Sequence, residues 1–236
     1  MVVLTLFLLF CGLPASGQTL PDWFFPLREA VYKQQLTVDE ISPMYRDISN
    51  RAAVSLSGAS QNIMHSHCEF MMGRAYQCEE RKNKVAERYD EGIKWAEKAL
   101  NAALSAVGWQ MLVENISQSC AVRPTTYAMA NGLKVEKYSK NALAINGWNA
   151  ADQIMIAAHC VYAPAPFHNY RRGIEMMTSV LSEGNLEKDN RFNAYLAIGY
   201  AYLQQKITRR RGPGCYDLWK CTPPTNMRKP CLQKRD

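Results

Sequence analysis

Tyr195-Leu196-Ala197-Ile198-Gly199-Tyr200-Ala201-Tyr202 carries an aromatic, an aliphatic, a glycine and a second aromatic at positions 195, 198, 199 and 202. On a helix of about 3.6 residues per turn these four positions share one side. A glycine on that side lets a second helix approach closely, and the aromatic after it fills a wedge between neighbouring helices. Glu69-Phe70-Met71-Met72-Gly73-Arg74-Ala75-Tyr76 repeats the spacing with Glu69 in place of the first aromatic. A different pattern recurs as Tyr89-Asp90-Glu91-Gly92-Ile93 and Tyr170-Arg171-Arg172-Gly173-Ile174. A third version, Tyr138-Ser139-Lys140-Asn141-Ala142, leads towards Gly147.

The first pattern resembles the first helix of the tetratricopeptide repeat, and the second resembles that repeat's second helix. The resemblance covers residues 60–206. It implies an all-α chain: a right-handed superhelix of antiparallel helix pairs, an α-solenoid of about three and a half repeats preceded by N-terminal helices. One pair cannot bury its own apolar face, so pairs stack. Gly73, Tyr76, Tyr89, Gly92, Tyr138 and Ala142, with Tyr170, Gly173, Tyr195, Gly199 and Tyr202, are the repeat-defining structural positions. In this family certain first-helix positions face a concave groove. The resemblance therefore implies ligand contacts from His67, Phe70, Arg74 and Gln77, then from Asn193, Leu196, Tyr200 and Gln204.

Helical periodicity predicts a first pair over residues 60–104, broken at the charged run 79–84. The second pair runs from Trp109 to Cys120 and from Val135 to Ile145, with a loop at 121–133 marked by Pro124 and Gly132. The third runs from Asn149 to Tyr162 and from Tyr170 to Leu181, around an elbow at Ala163-Pro164-Ala165-Pro166. Asn190 to Lys206 opens a fourth pair. Trp23 to Gln34 and Val38 to Ser57 precede them, the latter interrupted at Ser42-Pro43. No strand-like alternation of useful length occurs.

Four segments follow. Residues 1–17 read as a signal peptide: Val2 to Leu13 is almost wholly apolar, too short for a bilayer span, and small residues near Ala15 and Gly17 suit cleavage before Gln18. No Lys or Arg precedes this run, a departure from the usual signal. Residues 18–59 are the N-terminal helices and 60–206 the repeat domain. Residues 207–236 are a basic, irregular tail that contains Gly212, Pro213, Pro223, Pro224 and Pro230. From Lys206 to Asp236 nine Lys/Arg face two Asp/Glu, which accounts for the whole net charge of +7. The rest is neutral, so nucleic acid is not an expected partner of the body. A one-step shift of reading frame turns Trp219-Lys220 into Glu. It then permits Met-Tyr-Pro-Thr-Asn-Lys-Tyr-Ala-Glu-Thr-Leu-Leu-Ala-Lys, a helix such as closes a tetratricopeptide unit. The tail therefore has two readings: a basic, disulfide-bearing segment that binds anions or membrane, or a stretch out of frame after about Lys206, which would leave Ile198 and Tyr202 partly exposed.

Seven cysteines remain after the leader, without a C-x-x-C. Cys68 and Cys78 lie too far apart on one helix to bridge, whereas Cys120 with Cys160, or either with Cys68, is compatible with a disulfide. His65-Ser66-His67-Cys68 resembles a metal cluster, but residues two apart on a helix point away from each other. No hydrolase, phosphate-loop or dinucleotide motif is present. The expectation is an exported, secreted or periplasmic scaffold without catalysis or cofactor. It holds a peptide or partner protein in its groove and meets a membrane only through an N-terminal anchor. The alternative is a small-molecule or lipid carrier, a transport accessory whose pocket lies between helix pairs at the Pro164/Pro166 elbow. A clamp should line its groove with Arg, Asn and Gln, whereas a carrier should enclose an apolar cavity.

Overall fold

A computed structural model describes residues 20–183, 186 and 188–210. The leader (1–17) and the tail beyond Arg210 lie outside the described residues. After a short 3-10 turn at Asp22–Phe24 come, among the described residues, nine helices: α1 (Phe25–Lys33), α2 (Val38–Ser55), α3 (Gly58–Cys78), α4 (Lys82–Ala102), α5 (Ala106–Val122), α6 (Thr125–Asn146), α7 (Ala150–Tyr162), α8 (Tyr170–Ser182) and α9 (Lys188–Arg210). No strand occurs among the described residues.

Local chemistry explains the boundaries. Thr37 and Glu40 form a reciprocal cap at the start of α2, with the Thr37 N–H donating to Glu40 Oε2 at 2.7 Å. Ser105, Asn149 and Asn169 each accept a backbone N–H in the first turns of α5, α7 and α8. Gly147 ends α6 at φ +71, where a side chain would be strained. Two expected breaks are absent. Pro43 lies inside α2 rather than interrupting it. A proline in the second turn removes one ladder bond, and the Ser42 hydroxyl donates to the Val38 carbonyl at 2.8 Å beside it. Residues 121–133 are not a loop: Pro124 only precedes α6, and Gly132 sits within it. One glycine costs a helix about 1 kcal/mol, too little to break 22 residues. At the other end α9 continues past Lys206 to Arg210.

Each helix packs on the next along the chain, and α1 also packs on α3, α3 on α5, and α7 on α9. The odd-numbered helices α3, α5 and α7 carry most of the buried residues and are tied by polar bonds. Asn115 of α5 donates to Ser66 of α3 at 3.2 Å, and Gln110 of α5 donates to both Asp152 oxygens of α7 at 2.9 and 3.0 Å.

The repeated glycines mark close approaches. A Cβ on Gly73 would lie 2.8 Å from Cδ1 and 2.9 Å from Cζ of Tyr89, so α3 and α4 touch backbone to ring. Gly92 faces the Asn115 amide of α5, and Gly173 faces Val161 of α7. Glu69, which departs from the aromatic pattern, is buried and binds two elements: it accepts from the Tyr45 hydroxyl at 2.5 Å and from Arg88 at 3.1 Å. Gly199 differs from the other repeated glycines, because nothing lies near the position its Cβ would take. Beside it Tyr195 and Tyr202 are 61% and 56% exposed, and Ile198 is half-buried.

Candidate functional site

The residues expected in a groove fall into two groups. His67, Phe70 and Arg74 are interior, which corrects the expectation that they face an open surface. Three neighbours supply the reason: the 3-10 turn covers His67, α4 covers Phe70 and α5 covers Arg74. The Phe24 ring sits 5.6 Å from His67, and burial together with the nearby Arg28 pushes the imidazole down to about 4. Phe70 packs on Tyr89 at 6.0 Å, and Arg74 donates to Gln118 of α5 at 3.5 Å. Gln77, half-buried, accepts from the Tyr89 hydroxyl at 2.8 Å. Asn193 is buried and Leu196 half-buried on α9. Tyr200 and Gln204 border open space within the fold.

That space is a cavity of about 320 Å³ between α5, α6, α7 and α9, half open to solvent and bordered by the elbow at residues 163–168 and by Tyr170 of α8. Part of its wall is small and aliphatic: Ala121, Ala128, Leu133, Val135, Met155 and Ala158. Another part is aromatic. Tyr162 and Tyr200 meet at 5.0 Å, His168 stacks on Tyr170 at 4.4 Å, and Phe167 stands half-exposed beside them. The elbow is held by its own backbone: the Phe167 N–H donates to the Pro164 carbonyl at 2.8 Å and the Asn169 N–H to the Cys160 carbonyl at 2.7 Å.

The ionisable groups on the wall are already engaged. Arg123 donates to Asp90 through both terminal nitrogens and to the Ser119 hydroxyl at 2.8 Å, and it lies 4.4 Å from the Tyr127 ring centroid. His159 lies 3.9 Å from Glu136, and burial lowers its affinity for a proton although Glu136 opposes this. Burial pushes the Cys120 thiol up to about 11 and the Tyr200 hydroxyl up to about 12. Cys68, Cys120 and Cys160 take part in no disulfide, so no bridge joins Cys120 with Cys160 or either of them with Cys68. His65 stacks on Trp95 at 4.6 Å while His67 meets Phe24, so the His65–Cys68 string does not converge. Among the described residues no group of three or more His, Cys, Asp or Glu is placed to hold a metal ion.

The elbow was legible in sequence from Pro164 and Pro166 with their aromatic flanks. The α6 wall, Ala128 to Val135, was not, because Pro124 and Gly132 make that stretch read as a loop. Comparison of the chain with protein-family models, with curated proteins and with solved structures returns no match.

Proposed function

We propose that this chain is a tetratricopeptide-like α-solenoid that binds without catalysing, and that it carries a small apolar molecule in the cavity beside the elbow. The cavity is the observation that carries the reading. At about 320 Å³ it falls at the lower end of the range for small-molecule sites, with the expected apolar wall and few polar groups. The alternation of inner and outer helices and the Gly73–Tyr89 contact support the solenoid. The apolar leader supports an exported carrier or transport accessory.

The peptide-clamp reading is less favoured. Its arginine and two of its neighbours on α3 are inside the molecule, where a peptide finds no surface. A side chain at position 132 decides the matter, because Gly132 lines the cavity and its Cβ would meet nothing. The expected result is that the full chain binds the neutral fluorophore N-phenylnaphthylamine and that Gly132→Phe abolishes this while keeping helix content and thermal midpoint. Equal binding by the variant would show that the fluorophore sits elsewhere and would remove the basis of the proposal.

A further inference from the structure

We infer that the cavity selects an uncharged ligand with a flat or aromatic face and rejects the ionised form of an otherwise similar molecule. The inference rests on the carrier reading and adds the chemical class of what is carried. No Asp, Glu or Lys lines the cavity, and Arg123 is its one permanently charged wall residue. That guanidinium is spent: both terminal nitrogens are on Asp90, a further bond goes to Ser119, and its face lies over Tyr127. Burial weakens the hold of His159 on a proton, and Glu136 lies 3.9 Å from it. A carboxylate, sulfonate or phosphate that entered would lose its water and find no unpaired cation in exchange. An ammonium would find no carboxylate on the wall. Either loss is large when no partner is waiting.

The same wall suits a neutral flat molecule. Ala121, Ala128, Gly132 and Ala158 leave the space that larger side chains would fill, so this part of it is low and smooth. The Tyr162/Tyr200 and His168/Tyr170 pairs present ring faces and edges on the wall, which favours stacked or edge-on aromatic contact. Hydroxyls of Ser117 and Thr125 on the wall offer neutral hydrogen bonding to a carbonyl, amine or hydroxyl of the ligand.

Two fluorophores with nearly the same ring system separate charge from shape: neutral N-phenylnaphthylamine and its anionic relative anilinonaphthalene sulfonate. Each is titrated into the full chain and into Gly132→Phe, and only the signal lost in the variant is assigned to the cavity. The expected result is a cavity signal from the neutral compound at least tenfold tighter than any from the sulfonate. A sulfonate cavity signal as tight as the neutral one would overturn the inference while leaving the carrier reading intact. Absence of a cavity signal from both compounds would overturn the carrier reading and the inference with it.

Discussion

Gly73 and Gly199 occupy the same place in the same eight-residue pattern, yet their surroundings call for opposite responses to a methyl group. At Gly73 the added carbon would enter the Tyr89 ring, which is fully buried and tethered to Gln77. Overpacking of this kind costs about 1–3 kcal/mol. At Gly199 the space is open, and removing a glycine from a helix gains about 0.5–1 kcal/mol. Urea denaturation of Gly73→Ala and Gly199→Ala should therefore move the midpoint down for the first and up for the second. A fall in both would mean that α9 has a partner on its glycine side. Glu69 makes a related point about departures from a pattern. The residue least like the repeat is the one that joins α2, α3 and α4 through Tyr45 and Arg88.

Helices α1, α3, α5 and α7 meet around a buried polar seam. Glu114 of α5 turns its carboxyl into the interior, and its Oε2 has no hydrogen-bond partner among the described residues. Burial, reinforced by Asp152 and opposed by Arg28 and Arg74, pushes it up to about 8. Burial likewise raises Asp152 to about 6 against the pull of Gln110. A carboxyl whose folded pKa is raised holds its proton more tightly in the folded chain than in the unfolded one. Its contribution to stability is complete below the unfolded value near 4.5 and is lost as pH climbs towards 8. His67 works the other way: its folded value of about 4 lies below the ordinary 6.5, so its contribution is lost as pH falls between them. Above pH 6.5 the slope therefore belongs chiefly to Glu114. The wild-type urea midpoint should fall between pH 6.5 and 8, and Glu114→Gln should flatten that fall. Parallel slopes for the two proteins would remove Glu114 as its cause.

The whole molecule ends unevenly. At one end α1 covers α3, and Phe24, Leu27 and Val31 are buried. At the other, α9 shows Phe192, Tyr195, Tyr202 and Leu203, each at least half exposed. A stack of helix pairs needs a polar terminal cap to stay soluble, and an aromatic terminal face favours association. The double variant Tyr195→Glu/Tyr202→Glu should lower the concentration-dependent sedimentation of the full chain without changing its helical signal. An unchanged sedimentation profile would show that the α9 face does not drive association. This surface is the one left by the absence of a second helix after α9 among the described residues. Sequencing the gene around codon 206 tests the frame-shift reading, which predicts that the shifted frame encodes such a helix.

Helix identity was readable along the chain because it follows from local periodicity. Residues three, four and seven apart share a helix face wherever the helix lies. Capping at Asn149 and Asn169 and the elbow at Pro164 are local for the same reason. Periodicity does not say what covers a face once the helix has formed. The packing of the 3-10 turn on His67 and of α5 on Arg74 turned expected groove residues into interior ones, and among the described residues nothing covers Tyr202. The continuity of α2 and α6 was misread because proline and glycine weaken a helix by a few kcal/mol at most, an amount that packing on both sides can offset. The cavity was least accessible of all. Its walls run from Ser117 to Gln204, and only the packing of four helices and an elbow brings those residues around one space with its charges already paired.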